Sequence, residues 1–367
     1  MEFNRPTWVE VDLGNLRKNY REIQKTVGKR KIICVVKADA YGHGSIEVSR
    51  ILQDEGAFGL AVASMEEALA LRENGIKMPI LTLGYVDPKT LDIAARTRIS
   101  VTLFDKNFIK RLKEYTGNEA LYVHVDVDTG MGRLGIFPEE ALKVIEEISE
   151  IKNVKIEGIY THFASAENDR KYSIKQISSF KKILSELKKK NLLPEIIHAA
   201  NSAAVSNFKE SYFNAVRPGI ALYGLAENSS YICRPVLSFK TRVIFSRIVP
   251  KGYSISYGRT YTTKKDELLA TIPVGYADGL SRLLSNKGEV LVKGLRAKIV
   301  GNVTMDLTVI NVTNFPYIHP GNEVVIIGTQ GNNTITADEI AQITNTINYE
   351  VVTRIGKRVK RIYKDIE

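Results

Sequence analysis

Between about residue 12 and residue 225, strand-like and helix-like stretches alternate about eight times, and this repetition restricts the fold more than any other property of the chain. The apolar runs are "KIICVV", "FGLAVA", "PILTL", "ISVTL", "LYVHVDV", "VKIEGIYT", "IIHAA" and "NAVRPGIALYG". Among them lie "SIEVSRILQDEG", "SMEEALALRENG", "PEEALKVIEEISE" and "ISSFKKILSELKKK". The last two carry apolar residues three and four apart, the spacing of one helix face. Runs that are apolar at nearly every position suit strands buried on both sides, as in a parallel sheet covered by helices. Eight such units in roughly 220 residues predict an α/β fold, a closed (β/α)8 TIM-type barrel, in preference to an open sheet.

After about residue 230 the texture changes. "RPVLSFKTRVIFSRIVPKG", "ELLATIPVG", "GEVLVKG", "LRAKIVG", "MDLTVINVT" and "NEVVIIG" are strand-like runs separated by Gly, Asn and Pro, and helical pattern is scarce outside "TADEIAQITNTI". This predicts a mainly antiparallel β domain over residues 231–367, following a barrel over 1–230. "LAENSSYICRP" is the candidate boundary, and the early run "PTWVEVDL" is free to pair with either domain. A length of 367 residues with 44% hydrophobic content supports two cores.

Bulk properties remove several function classes. No apolar run approaches the roughly 18 residues that span a bilayer, so no membrane partner is expected. "MEFNRPTWVEVDLGNL" lacks a basic stretch followed by an apolar one, which argues against a secretory signal. The two cysteines, Cys34 and Cys233, lie far apart and form no CxxC pair. Neither a disulfide framework nor a metal site is expected, and a cytoplasmic location follows. The net charge of +11 raises the question of nucleic acid. The densest basic run, "KKILSELKKKN", alternates with apolar residues at helical spacing and reads as a solvated helix face, so no nucleic-acid partner is expected.

Barrel enzymes assemble their sites at the C-terminal ends of the strands. There the chain supplies Lys37 with Tyr41 close behind, Arg133 in "DTGMGRLG", His162, Asn201 with Ser202, and Arg217 with Gly219. Each has a plain structural alternative. Lys37 can snorkel from a strand end, Arg133 can pair with Asp128, and His162 can be a satisfied core histidine. Asn201 can cap the next helix, and Pro218–Gly219 can be only a turn. Together they describe one polar mouth. Burial lowers a lysine's pKa, and a neutral ε-amine attacks carbonyls. Ser202, the helix start after it and the Gly219–Ile220 amides are donors suited to a phosphate. Lysine, phosphate cradle and barrel mouth together suggest pyridoxal 5′-phosphate (PLP).

The motif "VVKADAYGHG" closely resembles the cofactor-lysine signature of the alanine racemases. The resemblance continues in order through "DTGMGRLG", "THFA", "AANSAA", "VRPGIALYG", "SYGRTYT", "PVGYADG", "GNVTMD" and "NYEV", covering nearly the whole chain. It implies a PLP-binding barrel followed by a β domain, and an isomerase that interconverts L-alanine and D-alanine with two bases, supplying D-alanine for peptidoglycan. Lys37 would hold PLP and act as one base, and Tyr257 would be the other. Arg217 would face the pyridine nitrogen, His162 would link Arg217 to Tyr257, and Arg133 would hold the phenolic oxygen and the substrate region. Tyr41, Ser202, Gly219, Ile220 and Tyr349 would bind phosphate, with Asn201 beside them. Met305 and Asp306 would lie near substrate and Tyr276 at the entrance. Tyr257 and the "NVTMD" loop would come from a partner subunit, which implies a homodimer with composite sites.

Three positions depart from the family pattern. Asp126 stands where many members carry a lysine that becomes carbamylated, so Asp126 or a bound anion is expected to replace the carbamate. Thr304 replaces a common cysteine, and Lys360 stands where proline is usual, which leaves the local backbone there open. Alternative readings are a serine or broad-specificity racemase and a non-catalytic PLP-binding barrel. A decarboxylase of the same fold class and a cofactor-free Schiff-base lyase are further ones. The long β-rich stretch argues against the PLP carrier, Arg217 against the decarboxylase and Tyr257 against the lyase.

Overall fold

The computed structural model of the protein describes residues 5–226 and 230–365. The chain divides into two units, one comprising Leu16–Ala40 and Ser45–Arg234, the other Met1–Asn15, Tyr41–Gly44 and Pro235–Glu367. Part of the expected boundary, residues 227–229, lies outside the described residues.

The first unit is a closed barrel of the strands Lys31–Val35, Gly59–Val62, Ile80–Thr82, Ile99–Leu103, Leu121–Asp126, Val154–Tyr160, Ile196–His198 and Ala215–Val216. Neighbouring strands pair in parallel, and closure comes from Lys31 and Ile32 opposite Ala215 and Val216. The near-continuous apolarity has its expected cause: every residue of Gly59–Val62 and of Ile99–Leu103 is buried. Helices cover the outside. Met65–Glu73 starts at Ser64, whose side chain accepts from the Glu67 amide. Arg170–Lys189 starts at Asp169 in the same way and buries Ser173, Gln176, Ile177, Phe180, Ile183 and Leu187 along one face. Leu91–Arg96 and Phe108–Lys113, six residues each, are helices that the periodicity did not announce, being too short to display a face.

The second unit is built on a ten-stranded sheet. Its strand order is Phe245–Val249, Glu267–Ile272, Thr308–Asn311, Leu295–Ile299, Glu289–Val292, Glu323–Gln330, Leu237–Arg242, Thr7–Asp12 and Lys360–Lys364, with Asn333–Ile335 paired to Glu323–Gln330. Thr7–Asp12 runs antiparallel to Leu237–Arg242 and parallel to Lys360–Lys364. The lysine found in place of proline opens that last strand, with Trp8 opposite Lys360. A short hairpin, Ser254–Ile255 with Tyr261–Thr262, stands apart from the sheet, and the helices Ala337–Thr344 and Asn348–Thr353 follow it in the chain. Among the described residues, no helix is long and apolar enough to cross a membrane.

Candidate active site

Lys37 follows the first barrel strand by two residues. The backbone before it is fixed on both sides: the Val35 amide donates to Pro218, the Val36 amide to Ala61, and the Tyr223 hydroxyl to the Val35 carbonyl, each at 2.9 Å. Its side chain is half-buried, and among the described residues no protein acceptor meets Nζ. Burial and the cations Arg133 and Arg217 push the Lys37 ammonium below its ordinary range, while Glu67 opposes them. Glu67 is itself held by the Ala38 and Ala63 amides (2.7 and 2.8 Å). The surroundings of Lys37 thus weaken its hold on the ammonium proton.

The turn that carries Lys37 is unusual. Lys37–Gly42 makes one helical turn, yet Ala38, Asp39, Ala40 and Tyr41 have φ between +52° and +54°, so its hand is reversed. The Ala40 amide donates to the Val36 carbonyl at 2.8 Å. Left-handed helical backbone costs an L-residue roughly 1–2 kcal/mol, so four in succession persist only where packing over-determines them. Gly42 (φ +81°) lies where a Cβ would come within 2.5 Å of the Val352 carbonyl, and a Cβ on Gly44 would meet the Tyr363 hydroxyl at 1.9 Å. The glycines of "ADAYGHG" therefore admit the protein's own chain.

Arg217 is 3% exposed. It donates to Nδ1 of His198 (2.5 Å), to the carbonyls of Thr161 (2.8 Å) and Ala199 (3.3 Å), and to Nδ1 of His162 at a longer 3.4 Å. Its guanidinium lies 4.8 Å from the Tyr160 ring centroid. Burial lowers its pKa to about 10, opposed by Tyr160 and Asp126, so it remains a cation at neutral pH. His162 is held neutral: burial and the charges of Arg217, Arg133 and Lys37 take it down to about 3. Its carbonyl accepts from Gln176, whose amide also reaches Thr129.

Arg133 is exposed. The expected alternative, a bridge to Asp128, does not form, because one oxygen of Asp128 accepts from the amides of Gly130, Met131 and Gly132 at 2.8–3.1 Å. Asp128 thereby folds the loop, and among the described residues no carboxylate lies within ion-pair distance of Arg133. Asp126 is 7% exposed. Burial raises its carboxyl to about 7, against the pull of Arg217 and Arg133 and a hydrogen bond from Tyr160. The expected substitute for a carbamate thus carries a charge that depends on pH.

Asn201 caps Ser202–Asn207, its side-chain oxygen accepting from the Ala204 amide at 2.9 Å. Ser202 is buried, and its hydroxyl accepts from the amides of Gly219 (2.9 Å) and Ala221 (3.2 Å). The Gly219 amide, expected to be a phosphate donor, is therefore already directed at Ser202. The Ile220 amide has no protein acceptor among the described residues, and the Ser202 hydroxyl keeps its own proton to donate.

The remaining expected residues belong to the β unit. Tyr41 is buried beside Tyr349, ring centroids 5.9 Å apart, and burial together with that neighbour pushes its phenol up. Tyr257 is 77% exposed and has no hydrogen-bond partner for its hydroxyl among the described residues. It stands on the turn Tyr257–Arg259, flanked by Ser256 (φ +62°) and Gly258 (φ +72°). The Asn302 amide holds its carbonyl at 2.7 Å. Tyr257 is thus not packed within a strand. Tyr276 and Met305 are partly exposed, and their loops are tied by the Tyr276 amide to Thr304 (3.0 Å) and the Ala277 amide to Met305 (3.1 Å). The Asp306 carboxylate is engaged by Arg358 at 2.7 Å. Asp278, which sequence reading passed over, anchors this region: it is fully buried and paired to Arg5 (2.6 Å) and Arg358 (2.7 Å).

Comparison with known proteins agrees along the whole chain. Residues 11–227 match the family "Alanine racemase, N-terminal domain", and residues 236–363 match "Alanine racemase, C-terminal domain". An alanine racemase of Halothermothrix orenii is 44% identical over 98% of this chain and 97% of its own length. The crystal structure of an alanine racemase from Bacillus anthracis with bound L-Ala-P superposes with a TM-score of 0.94 at 41% identity, covering 99% of this chain and 96% of that one. A histidine racemase from Leuconostoc mesenteroides shares the fold at 30% identity and a TM-score of 0.91, covering 99% of each chain. The chain belongs to the alanine racemase family: it is a PLP-dependent isomerase that interconverts L-alanine and D-alanine.

Proposed function

We propose that Lys37 and Tyr257 are the two bases of the racemisation, one working on each face of the substrate Cα. When bound, PLP withdraws electrons from Cα and makes its proton acidic. The donor set suits that group: a depressed amine for its aldehyde, a buried guanidinium for its ring nitrogen, and the Ser202 hydroxyl with the Ile220 amide for its phosphate. Tyr41 and Tyr349 complete the phosphate contacts, Gly219 positions Ser202, and Asn201 fixes the helix start. Arg133 holds the phenolic oxygen and the substrate region, and Met305, Asp306 and Tyr276 shape the approach. Racemisation removes a proton from one face and returns one to the other, so Nζ of Lys37 and Oη of Tyr257 alternate as acceptor and donor. Arg217 does not surrender its proton readily. It therefore leaves the ring nitrogen uncharged and favours prompt return of the proton to Cα.

In this reading the exposed phenol of Tyr257 and the loop containing Met305 serve the site of a second protomer, so the working unit is a homodimer with two composite sites. Residues 231–367 supply that contribution and the barrel holds the cofactor. The same reading includes a cytoplasmic location, where D-alanine would be supplied for peptidoglycan. The observation that carries the proposal is the half-buried, acceptor-free amine of Lys37 beside two guanidinium groups. In deuterium oxide, L-alanine should acquire deuterium at Cα as D-alanine appears, with serine and histidine turned over far more slowly. Retention of protium at Cα, or faster turnover of serine, would reject the mechanism or the substrate respectively.

A further inference from the structure

The barrel interior holds a hydrogen-bonded array that the reaction as described does not use. From Arg217 it runs to Nδ1 of His198 (2.5 Å), from Nε2 of His198 to Nδ1 of His124 (2.8 Å), and from Nε2 of His124 to Oε2 of Glu157 (3.3 Å). The far end is fastened by Arg98 (2.7 Å) and Ser100 (2.5 Å), both donating to the Glu157 carboxylate. His198 is fully buried and His124 is 2% exposed. Barrel interiors are normally filled with branched apolar side chains, and buried polar groups cost stability unless every member is satisfied.

Only one arrangement of protons satisfies this array. Arg217 can only donate, so Nδ1 of His198 is a bare acceptor. A neutral His198 then carries its proton on Nε2 and donates to Nδ1 of His124. A neutral His124 likewise carries its proton on Nε2 and donates to Glu157. Burial disfavours a charged ring at either position, and Arg217 adds to this. Arg217 thereby sets the tautomer of both rings, and the carboxylate accepts the last proton and anchors the far end of the array.

The backbone is shaped for this contact. The register between Leu121–Asp126 and Val154–Tyr160 shifts between Val123 and His124. A Cβ on Gly158 would stand 2.3 Å from Nδ1 of His124. A cavity of about 10 Å³, lined in part by Ser100, His124 and Glu157, has room for no more than about one water.

We infer that Glu157 is a positioning residue for the racemase: acting through His124 and His198, it holds the Arg217 guanidinium in place and orients its free N–H groups. No proton has to move along the array. The consequence for the cofactor rests on Arg217 facing the ring nitrogen, whereas the tautomer pattern does not.

Nitrogen-15 NMR of histidine-labelled protein, without and with PLP, tests the pattern directly. Both buried rings should be neutral with the proton on Nε2 from about pH 6 to pH 9, and Glu157→Gln, a weaker acceptor, should shift the Nε2 signal of His124 and through it that of His198. In the loaded enzyme, Glu157→Gln should raise the share of turnovers lost to transamination about fivefold, the scale of one misplaced hydrogen bond. In a His198→Asn background the same change should add nothing, because the link is already cut. Additive effects, or a Glu157→Gln protein whose His124 and His198 ring signals are unaltered, would overturn the inference. Should that variant fail to fold, a proton on Nδ1 of either ring in the unsubstituted protein would overturn it equally.

Discussion

At the residue scale, the mouth of the barrel works by setting charge states. Lys37, Arg217 and Asp126 share one buried region, and each is moved from its ordinary range chiefly by loss of solvent. Asp126 offers a clean test. Its folded value of about 7 lies above the unfolded carboxylate value of about 3.9. The fold's preference for the protonated acid is complete below the lower value and is lost as the pH rises from about 4 to about 7. Urea unfolding should therefore show unsubstituted protein losing more stability between pH 5 and pH 8 than Asp126→Asn. Equal losses would mean that the carboxylate is ionised throughout. An aspartate also cannot be carbamylated, so scrubbing carbon dioxide from the buffer should leave the racemisation rate unchanged. A rate that falls and is restored by bicarbonate would show a carbamate elsewhere.

At the scale of elements, the reversed turn Lys37–Gly42 is the most informative. It follows the first barrel strand and begins with Lys37, at a cost carried by the packing around it. Gly42→Ala would drive a Cβ into the Val352 carbonyl and should destabilise the fold by about 1–3 kcal/mol. Ala38→Gly, at an exposed position with φ +53°, should instead leave stability unchanged or raise it by up to about 1 kcal/mol. Chemical denaturation of both variants checks this, and a marked loss for Ala38→Gly would show that the turn is not strained.

The turn was invisible to sequence reading, because alanine, aspartate and tyrosine give no sign of positive φ. The eight strands were legible because burial on both faces leaves an apolar run, whichever helix follows. The two short helices were not, since six residues show too little of a face. Lys37, Arg133, His162, Ser202 and Arg217 stood out because each follows an apolar run. His124, His198 and Glu157 were absorbed into the runs themselves. Two histidines in otherwise apolar strands, "LYVHVDV" and "IIHAA", and the Glu–Gly pair in "VKIEGIYT" were the available signal.

At the scale of the whole molecule, the chemistry requires a base on each face of Cα, and the proposal draws them from different protomers. Tyr257 suits a role outside its own unit, being largely exposed and mounted on a turn with positive φ on both sides of it. Mixing two inactive proteins, Lys37→Ala and Tyr257→Phe, tests this most directly. After subunit exchange about half of the dimers should be mixed, each with one intact site and one doubly damaged site, giving roughly a quarter of unsubstituted activity. Recovery near that level is the predicted result. No recovery, with both parents folded and exchange verified, would contradict a site shared between protomers.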